Sequence, residues 1–404
     1  MGDKDPNNSD KQVIKQQRNL SRDLIFQEIL TRLPIKSILR FESVSKYWRS
    51  TLSSSEFANA HFMKSPFSHP SAPVNTLFIK SDSSYYYIFS YDHDQVSGNF
   101  EDNLLKLDID FGYQKELLEL TGSCNGLICL TMAFEYFILW NPATGKMQKY
   151  ESDGYVKLLD MHDEPSANHG FGYASSIDDY KYVRIVTLLW GNETGNIVHI
   201  FSLREKQWRK IDFDNDLILP RDQAVVFNEK LYWLAYSTQA GSIMSLNVLV
   251  CFDLAAERFE IFKFGSYHLG ILGAMEEYLS MSHWDTNHHT IMHLLKSHTI
   301  VKSFRIPESL SLDAGSQLIG CTRTGEVFVT GASLDNGVRT LESIWRRTLH
   351  LADTSTEPIK WTTLLRFDEP IKVVGYVPSL VSPIPILESV KGMHGDGSTF
   401  ANNA

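Results

Sequence analysis

Cysteine is scarce in this 404-residue sequence: only Cys124, Cys129, Cys251 and Cys321 are present. Four scattered cysteines cannot build a disulfide framework, and they fit a reducing compartment in which each is a small buried hydrophobe. No run approaches the roughly 18 consecutive apolar residues that a bilayer-spanning helix needs. The opening MGDKDPNNSDKQ lacks the apolar core of a secretory signal, so the sequons at Asn7, Asn19 and Asn192 are read as chance. Pro6 stands where a myristoylation signal wants Ser or Thr. Positive charge is also short, with a net charge of −10, which argues against a nucleic-acid footprint. Glycine-rich phosphate loops of both common kinds are missing, so nucleotide chemistry has no obvious seat. These absences point to the cytoplasm or nucleus, with no membrane insertion and no cofactor.

Two short stretches invite a chemical reading. Gly122-Ser123-Cys124-Asn125-Gly126 has the outline of a nucleophile elbow. An elbow needs a following helix and a paired histidine and acid, whereas Leu127–Leu130 reads as strand, so a tight Asn-Gly turn explains it better. His283, His288, His289 and His293 form the densest histidine cluster. His289 and His293 would share a face on a helix and could hold zinc there, but on a strand they lie about 13 Å apart. Neither stretch is expected to be catalytic or to bind metal.

What is present begins with Leu20–Phe62, NLSRDLIFQEILTRLPIKSILRFESVSKYWRSTLSSSEFANAHF with its preceding Asn19. Phe26, Leu30 and Leu33 follow helical spacing, and Pro34 ends that helix because it lacks an N–H and biases Leu33 away from the helical region. Pro34 suits the first turn of a second helix over Ile35–Phe41. A third is expected from about Ser43 to Leu52. Three helices in so few residues sit near the lower size limit for an independent core. The module holds more apolar groups than such a core can hide, so a partner or the following domain must complete it. It is basic, with seven Lys/Arg against four Asp/Glu from Leu20 to Lys64, while the rest of the chain is acidic. That polarity favours an acidic partner for the module and a basic one for the body.

Residues 1–19 are polar and are expected to be a disordered leader, and the Pro/Ser-rich 65–75 a linker. Beyond it, helical periodicity gives way to short β-rich runs separated by Gly, Asn, Asp and Ser; only segments such as Ser343–His350 have a helical look. A tight polar turn leading into a strand recurs near positions 77, 127, 180, 231, 279 and 327. A second feature is a hairpin in which an aromatic is followed seven residues later by an apolar partner: Trp140 and Met147, Phe201 and Trp208, Phe252 and Phe259. A period near 50 with several strands per unit points to a kelch-like β-propeller of about six blades, spanning 76–382. A strand near Ile371–Val377 could close the ring on the first blade. A two-sheet β-sandwich is the alternative. Tyr85, Tyr86 and Tyr87 read as inter-blade packing or as a partner-facing patch. Residues 383–404 are expected to be a disordered tail.

The N-terminal stretch resembles an F-box. The matching phrases are Asp23-Leu24-Ile25, Glu28-Ile29-Leu30, Arg32-Leu33-Pro34, Lys36-Ser37-Ile38, Arg40-Phe41, Val44-Ser45-Lys46, Trp48 and Phe57. Ser21 departs from the pattern, which has proline there; it weakens docking or caps the first helix. The body resembles the plant F-box-associated, kelch-type domain in Gly122–Leu127, Leu139–Gly145, Gly170–Tyr173 with Asp179-Tyr180-Lys181, and Tyr376–Val381. The resemblance implies a non-catalytic substrate receptor of an SCF-type cullin–RING ubiquitin ligase. Its helices would bind a Skp-type adaptor and its β-body an unidentified target protein. The expected adaptor face draws on Leu20, Leu24, Ile25, Ile29, Leu33, Pro34, Ile38, Leu39, Val44 and Trp48, some of which must instead hold the helices together. Two other readings stay open: an enzyme on a kelch-like propeller, and a receptor for a glycan or small molecule.

Overall fold

The computed structural model describes residues 21–22, 24–64, 75–81, 86–92, 105–107, 118–132, 135–154, 166–190, 193–213, 217–219, 223–237, 246–264, 268–275, 277–284, 290–306, 318–321, 327–332, 347–353, 360–367 and 371–384. The leader, most of the linker and most of the tail expected from sequence lie outside these, as do Leu20, Tyr85, His288 and His289.

The helical module holds one helix more than expected. Leu24–Ile29 is a π-helical turn and Leu30–Arg32 a 3₁₀ turn, followed by α1 (Ile35–Phe41), α2 (Lys46–Leu52) and α3 (Ser55–Lys64). The first segment is not a plain α-helix, and two side chains account for it. Thr31 Oγ1 and Lys64 Nζ both donate to the Gln27 carbonyl, at 2.6 and 2.7 Å, occupying the acceptor that an α-helix would give to a backbone N–H. Ser21 Oγ accepts from Leu24 N at 3.2 Å, so the residue standing in place of proline caps this segment. Ser45 caps α2 through Trp48 N, which moves its start from the expected Ser43 to Lys46. The sequence reading missed α3, which brings Phe57, Ala58 and His61 under the other helices.

The body is a ring of six antiparallel sheets among the described residues. The first blade is Asn75–Ser81, Tyr86–Asp92 and Leu105–Leu107, with Ile371–Tyr376 as its inner strand. The second runs Leu118–Cys124, Leu127–Met132, Tyr136–Trp140 and Met147–Glu151. The third is Ser166–Ala174, Asp179–Trp190, Glu193–Ser202 and Gln207–Asp212. In the fourth, Leu217–Ile218 and Val225–Phe227 both pair with Lys230–Ser237, ahead of Leu246–Asp253 and Arg258–Lys263. The fifth is His268–Met275, Tyr278–Trp284, Thr290–Lys296 and Thr299–Arg305. The sixth is Leu318–Cys321, Val327–Ala332, Arg347–Asp353 and Lys360–Phe367. Arg347–His350, in the stretch with a helical look, is therefore strand.

Each inner strand touches the inner strand of the next blade, and the sixth touches the first. Closure is by the C-terminal strand, whose Tyr376 lies opposite Asn75 and whose Ile371 lies opposite Lys80. The repeat seen in sequence marks the second strand of each blade. The seven-residue spacing marks the outer hairpins, pairing Trp140 with Met147, Phe201 with Trp208 and Phe252 with Phe259.

The period-2 rule explains why central strands are apolar throughout, since both of their faces are covered. Ile128 and Leu130 pack toward the first blade with Leu77 and Tyr376. Leu127 and Cys129 pack toward the third with Phe171, Tyr182 and Phe201. Leu231, Trp233 and Ala235 face the third blade, whereas Tyr232 and Leu234 face the fifth. The inner strands come close enough to require glycine: a Cβ on Gly170 would stand 2.9 Å from Ala224 Cβ and 2.8 Å from Leu231 Cδ1.

Candidate functional site

The helical module has a small core and a large apolar exterior. Phe26, Leu30, Ile38, Leu52, Phe57 and Ala58 are buried together. Trp48 wedges between Phe26 and Phe41, with ring centroids at 5.1 and 5.8 Å. Outside this core, Leu24, Ile29, Val44 and Tyr47 are 42–59% exposed, although each is a large hydrophobe. Tyr47 leans edge-on against Phe26 and lies under the Arg22 guanidinium, at 5.8 and 5.3 Å, so the first segment and α2 meet at this surface. An exposed apolar concentration on so small a unit marks a protein-docking surface.

The structure sorts the expected face into three groups. Leu24, Ile29, Pro34 and Val44 are exposed. Ile25, Leu33, Leu39 and Trp48 are half-buried against the core. Ile38 has no exposure at all. Its place on the inner face of α1 makes it a core residue rather than a contact, which corrects its inclusion. Tyr47 and Met63 are exposed hydrophobes that the sequence reading left out.

A second element completes the site. The chain does not leave the ring after the closing strand. Residues 377–384 form a strap across the second blade. Asn141 is fully buried, and its Nδ2 donates to Ser379 O at 3.0 Å and to Val381 O at 2.7 Å. Its Oδ1 accepts from Ala143 N and Thr144 N, so all its polar capacity is used in the turn and the strap. Ser379 Oγ donates to Asn125 O at 2.6 Å, and Tyr150 OH to Pro383 O at 2.7 Å. Pro383, assigned by sequence to the tail, is thus buried and bonded. Leu380 leaves the ring altogether and joins the core of the helical module.

The model of the F-box associated beta propeller domain matches residues 76–291, more than half of the chain, and that of the F-box domain matches residues 19–59. The chain belongs to the F-box-associated β-propeller family. Its relatives include an F-box/kelch-repeat protein of Arabidopsis thaliana, 28% identical over 247 residues, which cover 58% of this chain and 63% of that one. The Arabidopsis thaliana F-box protein CPR1 is 25% identical over 262 residues, covering 59% of each. The chain therefore spans about three fifths of the length of these relatives. Among solved structures, the β-propeller domain of the Trilobed protease of Pyrococcus furiosus matches with a TM-score of 0.40 at 10% identity, over 74% of this chain and 79% of that one, a likeness too slight to bear on function.

Within the F-box, α3 is tied back by two polar contacts. Lys64 reaches Glu28 at 2.9 Å on the exposed side, and with Arg32 it holds the Glu28 carboxyl below the usual range. His61 is buried and its Nε2 donates to Leu33 O at 2.8 Å. Burial lowers the His61 pKa from the ordinary 6.5, against the opposing pull of that carbonyl. The neutral ring is therefore the folded form. Its contribution to stability is complete above 6.5 and is lost as the pH falls below it, because the unfolded chain takes up the proton first. F-box amides are expected to exchange faster at pH 5.5 than at pH 7 after correction for intrinsic rates. In His61→Gln that difference shrinks.

The F-box-associated propeller shows no elbow and no metal cluster among the described residues. Cys124 ends one strand, Asn125 and Gly126 form a tight turn with φ of 49° and 79°, and Leu127 begins the next. Burial pushes the Cys124 thiol up to about 12, so it is not the thiolate that a nucleophile needs. Burial also pushes Cys251 up to about 11. The side chain of Cys321 lies outside the described residues. His283 and His293 stack on facing strands, 2.7 Å apart through Nδ1 and Nε2, and His293 Nδ1 meets Ser303 Oγ at 2.7 Å. Tyr86 and Tyr87 lie on a strand of the first blade, opposite Ser81 and Lys80. A polar set joins the second and third blades. Arg184 donates to Asp153 Oδ1 at 2.6 Å and to Ser152 Oγ at 2.7 Å, and His199 Nδ1 donates to Asp153 Oδ2.

Proposed function

We propose that this chain is the substrate receptor of an SCF-type cullin–RING ubiquitin ligase. The F-box binds a Skp-type adaptor, and the propeller holds a target protein for ubiquitination. The chain contributes no catalytic group. It supplies proximity, raising the effective concentration of target lysines near the recruited conjugating enzyme. It acts in the cytoplasm or nucleus.

The observation that carries this reading is the exposure of Leu24, Ile29, Val44 and Tyr47 on an F-box whose other large apolar groups are gathered, with Leu380, into one buried cluster. The F-box match supports adaptor binding as a class. Burial holds Cys124 and Cys251 as thiols, so neither offers a thiolate nucleophile.

The test is binding of the purified chain to a recombinant Skp-type adaptor. Leu24→Asp with Val44→Asp changes exposed positions only, so the fold is kept. Binding is expected to weaken by about 100-fold, as for loss of interface hot spots. Undiminished binding by the folded double variant sinks the assignment.

A further inference from the structure

We propose that Leu380 is a positioning residue for the adaptor contact: it completes the F-box core from the far end of the chain, so the F-box holds its binding face only on a closed propeller. This rests on the adaptor-binding reading above.

The F-box helices supply six buried core residues, and the seventh member of that cluster is Leu380. The unit lies near the size at which a core is marginal, so one large aliphatic group decides much of its order. Leu380 is presented rigidly. The carbonyls on either side of it, those of Ser379 and Val381, are both held by the Asn141 side chain. Ser379 Oγ turns to the ring at Asn125, and Val381 packs with Phe137, Phe171 and Tyr182 between the second and third blades. Ser379 and Val381 are thus anchored to the ring while Leu380, between them, packs among the helices. Three residues separate it from Tyr376, the last residue of the ring-closing strand. The line of force therefore runs from the exposed face through the F-box core to Leu380, then to Asn141, the second blade and the closure.

Hydrogen exchange on the full chain tests this, with affinity for the recombinant Skp-type adaptor measured in parallel on wild type, Leu380→Ala and Leu380→Met. In Leu380→Ala, amides of α1 and α3 are expected to exchange at least about tenfold faster, while strands of the second and third blades stay unchanged. Adaptor affinity falls by roughly fivefold, because the competent F-box is then only part of the population. Leu380→Met restores both. Unchanged helices overturn the proposal, as does equal loosening of helices and blades, or looser helices with undiminished affinity. Failure of wild type to bind the adaptor sinks the ligase reading and the adaptor role of Leu380 with it; the exchange arm then separately reports whether Leu380 holds the helices.

Discussion

Gly126→Ala is expected to lower the melting temperature by roughly 8 °C, the shift that about 4 kcal/mol produces in a body of this size. Two costs combine. Gly126 has φ +79°, a region where a Cβ costs about 1 kcal/mol. The added Cβ would also stand 2.6 Å from Ser379 Cβ and 2.7 Å from Val377 O. A backbone carbonyl cannot rotate aside as a side-chain tip can, so the strap must lift. Lifting it unmakes the Ser379–Asn125 bond and leaves the buried Asn141 amide without its two carbonyl acceptors, at about 1–3 kcal/mol. Gly145→Ala is the control. Its φ is +70° and nothing lies within 4 Å of the added atom, so it meets the backbone cost alone. Thermal melts of the two variants side by side separate strap displacement from turn strain. Equal shifts would falsify the strap argument.

Asp153→Ala is expected to cost about 3–4 kcal/mol, because it leaves the buried Arg184 without its carboxylate. Arg184 is among the most buried side chains of the chain and lies under the Trp208 ring at 5.2 Å, so it has no route to water. Burial pushes the Asp153 carboxyl up, but hydrogen bonds from His199 and Arg184 and the Arg184 charge outweigh it and hold the group well below the ordinary 3.8. A depressed carboxyl contributes stability that is present above its unfolded value and lost as the pH falls through the folded one. The gap between wild type and Asp153→Ala is therefore full at pH 7, begins to close below about pH 4 and narrows further as the pH falls toward the folded value. Urea unfolding at pH 7 and pH 3 checks both halves. A gap of the same size at both values excludes the ion pair as its source.

Much of the ring was legible because each of its signals is local. Asn125-Gly126 can hardly be anything but a tight turn, and a seven-residue aromatic spacing suits an outer hairpin. Strand 371–376 was placed as the closure because six repeats left it over. What escaped was set by partners distant in sequence. Ile38 fits the F-box pattern as well as Leu24 does, and only packing against Phe26, Leu52 and Leu380 assigns it to the core. The π-helical turn depends on Lys64, 37 positions from Gln27. Asn141 looked like part of a turn motif, and its second role as the clamp on the strap is invisible without residues 379 and 381 beside it. Helix α3 lay in a stretch rich in Ser and Ala with only Phe57, Phe62 and Met63 as large apolar signals, the last two adjacent, too sparse for a periodicity.

Closure of the ring by Ile371–Tyr376 has a consequence for shortened chains. Any product ending before residue 371 leaves Asn75–Ser81 without its inner neighbour, an open edge that invites pairing with other chains. The same product lacks Leu380. A premature stop or a late proteolytic cut therefore damages the propeller and the helical module together. Residues 371–381 thus act as a proof of completeness, read in helices more than 300 positions earlier in the polypeptide.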